Sequence, residues 1–423
     1  MIFLVWLLYF PALYLAFYAR VMCAGMGIYW DLIPTALIHG LIFFAAYSIV
    51  NLAKKLITKK MPAPRIGATK DKTTRIYGVV TVGFTTMFAL SQYGILTRAV
   101  TGYLIPICVY IVLAVSLNLV VGISGELSLG HAGFMGVGAF TGIVTAACLA
   151  QTVPDPLMRL VIAMFAGGIM AGVAGIIVGV PVLRLRGDYL AIVTLAFGEI
   201  LKNIIGNLYI GFDAAGLHFA MSEQDIHMAE DGKMIIKGAL GAAGVQKLST
   251  FFAGFLLILF TLAVVLNLIN SKEGRAIKAV RDNRIAAESV GINATAFRLK
   301  AFVVSAFLAG MAGALFGLNL GSLQASKFGY TTSIDILVYV VLGGMGNILG
   351  SIISTVVLYL VPEFLREMAD LRMIMYAVVL IVVMLFTWSP KFKNVIDSVK
   401  GTITEKIGGL RKKKEGKEVP GDE

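Results

Sequence analysis

Long apolar stretches without charge alternate with short polar stretches along most of this 423-residue chain. Each apolar stretch approaches the length of about 20 residues that a helix needs to cross a bilayer. Spans are predicted at 3–19, 32–53, 76–97, 102–122, 127–150, 160–183, 188–210, 249–269, 301–321 and 373–388. The pattern therefore predicts an all-α fold, a polytopic transmembrane helical bundle with about 10–12 spans.

Two further stretches break the simple pattern. Residues 334–361 are apolar but contain Gly343, Gly344, Gly346 and Gly350, so two short helices meeting at a tight turn are predicted there. Residues 122–142 begin with small and polar residues, which predicts a broken or re-entrant helix near membrane depth.

Composition supports the membrane assignment. Hydrophobic residues make up 58% of the chain and charged residues 14%, whereas a soluble domain carries about 25% charged residues. A soluble enzyme, a disordered regulator and a nucleic-acid-binding module are thereby excluded. The three cysteines stand singly and the four histidines form no metal-like pair, so neither a metal site nor a cofactor is predicted.

The distribution of basic residues predicts the orientation. The net charge is +12, and 26 of the 36 Lys and Arg residues fall in 54–75, 272–300, 391–417 and the pair Arg184 and Arg186. Basic residues accumulate in cytoplasmic loops. All four regions lie in the cytoplasm if 334–361 is a hairpin and the chain crosses twelve times, with both termini inside.

Three regions with different character are predicted. Residues 1–75 form a two-span preface that ends in a basic cytoplasmic loop, and 76–390 form a glycine-rich core. Residues 391–423 form a charged cytoplasmic tail. In the core, glycines spaced four apart predict close helix packing. The pairs are Gly138 and Gly142, Gly168 and Gly172, Gly175 and Gly179, Gly313 and Gly317, and Gly317 and Gly321.

Catalytic motifs are absent from the sequence. No GxxxxGK[ST] phosphate-binding loop, HExxH zinc motif or GxSxG nucleophile motif occurs. We therefore expect no catalytic residues and no ATPase activity in this chain.

The polar residues of 122–142 have two interpretations. Broken backbone at membrane depth is tolerated where it lines a cavity, so Glu126, Ser128 and His131 are candidates for a translocation pathway. Alternatively, the segment is a surface loop with an exposed Glu126, and His131 is a packing residue.

A second candidate for the pathway is Glu199, which lies eleven residues into its predicted span, near the middle of the bilayer. A lone carboxylate there is costly, so it must be paired, protonated or next to water. An ion pair with Lys202, one helical turn away, is the simpler explanation. Both interpretations remain open from the sequence.

The strongest sequence signal lies in the polar segment 271–300. Its apolar residues have the spacing of one short amphipathic helix, with Gly291 as a left-handed cap; they are Ala276, Ile277, Val280, Ile285, Ala286 and Val290. Such a helix either lies on lipid or docks into a partner protein. Its modest apolar content and three acidic residues favour a protein partner.

Four motifs resemble one family of transporters. EGRAIKAVRDNRIAAESVGI resembles the coupling loop of permeases from ATP-binding-cassette (ABC) importers, and SGELSLGHAGFMGVGA resembles their helix-break motif. VLRLRGDYLAIVTLAFGEI and VYVVLGGMGNILGS resemble the larger, M-type permease of high-affinity branched-chain amino-acid importers. The resemblance covers about 76–390.

The resemblance implies a permease subunit in the bacterial inner membrane. Its partners would be a homologous second permease, two ATPase subunits and a periplasmic substrate-binding protein. A cytoplasmic coupling helix would contact the ATPase through Gly274, Arg275, Arg281, Asn283, Ala286, Ala287, Glu288 and Gly291.

Three alternatives stay open at this stage. A permease for urea, short amides or another small polar solute would have similar spans. An ion-coupled secondary transporter gains weak support from Glu126 and Glu199. A membrane scaffold without transport is the third alternative.

Overall fold

The computed structural model describes residues 69–92, 98–183, 188–213, 216–222 and 232–364, with isolated positions 224, 226, 378 and 381. The chain divides into two compact units, Met1–Lys72 and Thr73–Glu423. The described residues belong to the second unit except for 69–72. The predicted spans 3–19 and 32–53, nearly all of 373–388 and the tail lie outside them. The three-region division stays a prediction.

Helices dominate the described residues. They are α1 (Thr69–Gln92), α2 (Arg98–Asn118), α3 (His131–Cys148), α4 (Pro156–Val182), α5 (Asp188–Gly206), α6 (Phe251–Asn270), α7 (Lys272–Asp282), α8 (Arg284–Ser289), α9 (Ala294–Gly317), α10 (Tyr330–Gly343) and α11 (Ile348–Phe364). A π-helical turn, Leu119–Ser124, continues α2. Within this part of the chain, six helices are long and apolar enough to cross a membrane: α2 to α6 and α9. The all-α polytopic fold class is confirmed.

The core of the bundle is formed where α3, α4 and α9 meet at glycines. A side chain at Gly138 on α3 would collide with the backbone of Gly310 on α9. A side chain at Gly167 on α4 would collide with the carbonyl oxygen of Gly138. The backbones are therefore in direct contact, which matches the close packing predicted from the glycine spacing.

The predicted pair of helices within 334–361 is confirmed. α10 and α11 form a hairpin, and Gly344 and Gly346 in its turn have φ of +89° and +81°. These backbone conformations favour glycine. Gly343 and Gly350 face each other so closely that a side chain at either position would collide with the other helix.

A small antiparallel sheet, which the sequence analysis did not predict, lies at one end of the bundle. Its strands are β1 (Tyr209–Asp213), β2 (Gly216–Ala220), β3 (Lys233–Lys237), β4 (Ala242–Ala243) and β5 (Ser322–Leu323). Their order is β2-β1-β3-β4-β5. The register pairs Tyr209 with both Ala220 and Lys237, and Ala242 with Leu323. We call this end of the bundle the sheet end.

Residues 271–293 lie at the opposite end, which we call the loop end. α6 and α9 connect the two ends with 20 and 24 residues. At 1.5 Å per residue they are about 30 and 36 Å long, enough to cross the hydrocarbon core of a bilayer.

The prediction of one amphipathic helix at the loop end is wrong. The segment forms two helices, α7 and α8, separated by Asn283 in an extended conformation (φ −155°, ψ 105°). The Asn283 side chain caps α8, because its Oδ1 accepts a hydrogen bond from the Ala286 N–H at 3.0 Å. The predicted left-handed conformation of Gly291 is confirmed by its φ of +84°.

Candidate functional site

The two loop-end helices fold onto a small core of their own. Val280 of α7, Ala287 of α8 and Ala294 of α9 are buried together, with Ala279 and Ile292 packed against them. This core holds α8 in a fixed position relative to the bundle.

The break at Asn283 turns two apolar side chains outward. Ile285 is 81% exposed and Val290 is 74% exposed, although the single-helix prediction placed both on its apolar face. We call the exposed surface they form with their neighbours the tip, and define it as Asn283, Ile285, Ala286, Ser289 and Val290. Because both side chains project from a segment that is already packed on its own core, the tip is a candidate interaction surface.

The predicted coupling residues separate into two groups. Gly274 and Ala287 are buried; a side chain at Gly274 would collide with the carbonyl oxygen of Leu268. The other predicted coupling residues are exposed: Arg275, Arg281, Asn283, Ala286, Glu288 and Gly291. Gly274 and Ala287 therefore shape the segment from inside. Arg281 donates to the Gly122 carbonyl of the same chain, and the other exposed residues are the ones that could contact a partner.

The helix break between α2 and α3 also lies at the loop end. Glu126 is buried, which contradicts the exposed-loop interpretation, and its Oε1 lies 2.8 Å from Nε of Arg298 on α9. Burial raises the pKa of the Glu126 carboxyl above its ordinary value, and the positive charges of Arg298 and Arg284 oppose that rise.

Ser128 and His131 are buried next to Glu126 in the sequence. Nε2 of His131 lies 2.9 Å from Oγ of Ser116 on α2. The backbone N–H of Ala132 donates to Oγ of Ser333 on α10 at 3.0 Å. These contacts show closely packed side chains, and a pathway role for Glu126, Ser128 and His131 stays a prediction.

A re-entrant segment places the start of α10 halfway along the bundle. After β5, the 3₁₀ turn Ala325–Phe328 returns into the helices, and the Phe328 ring lies 6.1 Å from the ring of Phe140, near the middle of α3. α10 therefore begins at Tyr330 inside the bundle and has 14 residues, about 21 Å. The sequence pattern predicted no break at this position.

Glu199 stabilises the start of this half-helix. Its carboxylate pairs with Lys202, as the simpler interpretation of the sequence predicted. Its Oε1 also accepts a hydrogen bond from the backbone N–H of Tyr330 at 2.7 Å. The residue before α10 is Gly329, which has no side chain to act as a cap. Glu199 supplies the missing acceptor from another helix.

Replacing Glu199 by alanine is expected to destabilise the protein by about 1–2 kcal/mol, because the Tyr330 N–H and the Lys202 ammonium lose their acceptor. Glu199→Gln keeps an oxygen acceptor and should therefore lose less stability than Glu199→Ala. Thermal unfolding in detergent measures both. Asn203→Ala, an exposed position on the same helix, is the control and should change stability little. Equal stability of Glu199→Ala and Asn203→Ala would contradict a capping role.

Two faces of the bundle differ in polarity. α4 exposes large apolar side chains at eleven positions: Leu157, Met158, Val161, Ile162, Phe165, Ile169, Met170, Val173, Ile176, Ile177 and Val180. α5 and α10 also expose apolar side chains, among them Ile192, Ile200, Ile204 and Ile334. Unlike α4, they expose polar groups between these, Asn203 and Asp335, with Glu199 and Lys202 partly exposed; we call this the polar face. Because charge is costly against lipid, the α5–α10 face is suited to protein or water and the α4 face to lipid.

Within the described part of the chain, no three His, Cys, Asp or Glu side chains come together as a metal ion would require. The geometry instead combines a closely packed helix break, an exposed tip and a face that carries polar groups.

Comparison with known proteins agrees with this geometry. Residues 99–387 match the family model described as branched-chain amino acid transport system, permease component. No solved structure matches the chain.

Three relatives are permease proteins. The chain is 34% identical over 306 residues to the high-affinity branched-chain amino acid transport system permease protein LivM of Salmonella typhimurium, covering 67% of each chain. It is 33% identical over 307 residues to LivM of Escherichia coli, again covering 67% of each. A probable LivM of Methanocaldococcus jannaschii is 29% identical over 193 residues, covering 44% of this chain and 51% of the relative.

These relatives are subunits of transport systems, so this chain is a transporter subunit and not an enzyme. The match to the family model extends over about two thirds of the sequence and includes α2 to α11. The chain therefore belongs to the family of permease components of branched-chain amino acid transport systems.

Proposed function

We propose that this chain is the membrane-spanning permease of an ATP-driven importer of branched-chain amino acids. Separate ATPase subunits would hydrolyse ATP, because this sequence has no phosphate-binding loop. A soluble binding protein would deliver the amino acid. Family membership supports the class of transporter, and the names of the relatives support the substrate.

The observation that carries the ATP-driven mechanism is the tip. Ile285 and Val290 project from a segment that is already packed on its own core, so burying them requires a second protein or lipid. A charged pair lies beside them: Nε of Arg284 lies 2.8 Å from Oε1 of Glu288. A mixed apolar and charged surface of this kind favours a protein groove over lipid.

The charge distribution supports the orientation. The loop end carries seven basic residues between 272 and 300, which favours the cytoplasm. The sheet end would then face the periplasm, where the binding protein docks. With the hairpin of α10 and α11 counted as two crossings, both termini would be cytoplasmic in a bacterial inner membrane.

The polar face supports a second, homologous permease as partner. Asp335 and Asn203 are exposed on α10 and α5, whereas α4 is suited to lipid. Pairing two permeases across their α5–α10 faces would remove these groups from lipid and enclose a pathway between them. Glu199 is the one predicted pathway residue on this face.

The docking proposal predicts the effect of a charge at the tip. Ile285→Asp combined with Val290→Asp should abolish co-purification of the ATPase subunits, because a carboxylate replaces each apolar contact. Uptake should fall with it. Leu240→Asp, at a 71% exposed leucine of the sheet end, is the matched control and should leave ATPase binding unchanged.

Two outcomes would reject the proposal. Wild-type-like ATPase binding by the tip variant would show that the tip is not the docking surface. Uptake in proteoliposomes that survives ATP depletion but stops when the proton gradient is removed would favour a secondary transporter. A panel of labelled leucine, isoleucine, valine and urea distinguishes the branched-chain substrate from short amides.

A further inference from the structure

The break between α2 and α3 contacts two elements that could move during transport. We call residues 119–130, the π-helical turn and the extended segment after it, the junction. α7 of the loop end lies on one side of the junction, and the turn of the α10–α11 hairpin lies on the other side.

Arg281 makes the contact on the α7 side. Its Nη1 donates a hydrogen bond to the carbonyl oxygen of Gly122 at 3.0 Å. Its Nε and Nη2 donate to Oδ1 of Asp282 at 3.0 and 2.9 Å, which holds the guanidinium in one orientation. Although the sequence assigned Arg281 to the ATPase contact, its guanidinium reaches toward the permease itself.

The junction is shaped to receive this arginine. The final carbonyl groups of a helix lack intrahelical partners, and a cation there is favoured by the helix dipole. Gly125 ends the π-helical turn with φ of +76°. A Cβ at Gly125 would lie 2.6 Å from Cγ of Arg281, so the missing side chain leaves room for the arginine stem.

Asn118 makes the contact on the hairpin side. It is fully buried, and its Oδ1 accepts a hydrogen bond from the Gly346 N–H at 2.7 Å. Its Nδ2 donates to Oγ of Ser351 at 2.8 Å. A side chain at Gly122 would collide with both Asn118 and Gly346, so the junction and the hairpin turn are in direct contact.

We propose that Arg281 is a positioning residue that transmits movement of the loop end to the α10–α11 hairpin. The path runs from Arg281 through the Gly122 carbonyl and Asn118 to Gly346. Since α10 carries Asp335 on the polar face, a shift of the hairpin would reach the pathway side of the bundle. This inference rests on the proposed function, because it presumes that an ATPase moves the tip.

A coupling measurement tests this inference, since spatial contact alone does not establish transmission. The complete importer, with its ATPases and binding protein, is reconstituted in proteoliposomes, and ATP hydrolysis and leucine uptake are measured together. In Arg281→Ala, ATPase binding and hydrolysis should remain close to wild type. The ATP used per leucine should rise about tenfold, as expected for loss of one charge-assisted hydrogen bond.

Two further variants complete the test. Arg281→Lys keeps the positive charge but loses the planar guanidinium that contacts Asp282 through two nitrogens. The ATP used per leucine should therefore be intermediate between the wild type and Arg281→Ala. Lys272→Ala removes an exposed basic side chain at the start of the same helix and should leave the ratio unchanged.

Different failures have different meanings. An unchanged ATP-to-leucine ratio in Arg281→Ala would overturn the positioning role and leave the proposed function intact. Loss of ATPase binding in Arg281→Ala would make the residue a docking contact and would equally overturn it. ATP-independent uptake by the wild-type importer would instead reject the proposed function.

Discussion

Replacing Gly138 by leucine is expected to eliminate most of the folded protein. The α-carbon of Gly138 packs directly against the backbone of Gly310, and its carbonyl oxygen lies against Gly167. Three helices, α3, α4 and α9, therefore meet at this residue. Alanine at this position should already cost about 1–3 kcal/mol through overpacking, and leucine needs far more space. The yield of monodisperse protein in detergent and its thermal unfolding measure the effect.

Gly172→Ala is the matched control for this prediction. Gly172 lies on α4 and also faces α9, but a Cβ there would lie 3.7 Å from Cβ of Phe307, which is an ordinary contact. The control should express and unfold like the wild type. If Gly138→Ala unfolds at the same temperature as Gly172→Ala, the direct backbone contact between α3 and α9 does not support the fold.

The six described spans were predictable because lipid imposes one simple requirement on the sequence, a long apolar run with little charge. The close packing was also predictable from glycines spaced four apart. The pairing of helices was not, since the spacing of Gly138 and Gly142 does not indicate that the partner is Gly310 and not another glycine. Partner choice depends on three-dimensional shape, which no local pattern carries.

The sheet and the re-entrant segment escaped prediction for a different reason. β5 contains two residues and pairs with β4, about 80 residues earlier in the chain. Strands this short have no alternation of polar and apolar positions to detect. The start of α10 inside the bundle is capped by Glu199 from another helix, a contact that no local pattern indicates.

At the tip, the error came from assuming one continuous helical period. Asn283 interrupts the helix and changes the direction in which the following side chains face. Ile285 and Val290 therefore point outward, whereas Ile277 and Val280 point inward. Asparagine is a preferred N-cap residue, and this signal could have placed the break at Asn283 from the sequence alone. The partner of Glu126 offered a weaker signal: Arg298 is one of two charged residues, with Lys300, near the start of an otherwise uncharged helix.

Replacing Arg298 by methionine is expected to destabilise the protein by about 3–5 kcal/mol at neutral pH, the range for breaking a buried ion pair. The two side chains are 14% and 10% exposed, so Glu126 would keep a charge away from water without its paired cation, opposed only by the weaker effect of Arg284. Lys300→Met is the control, because its partner Glu273 and Lys300 itself are largely exposed. Such surface pairs contribute at most about 1 kcal/mol.

The loss of stability in Arg298→Met should become smaller as the pH falls. Burial already raises the pKa of Glu126, and removing Arg298 takes away a charge that lowers it. A carboxyl whose pKa is raised on folding stabilises the fold below its unfolded pKa, and this contribution disappears as pH rises through the folded pKa. Unfolding temperatures at about pH 5 and about pH 7.5 should therefore show a smaller gap from wild type at the lower pH. A gap independent of pH, or one that the double variant Glu126→Gln/Arg298→Met reproduces in full, would mean that the buried charge of Glu126 is not the cause.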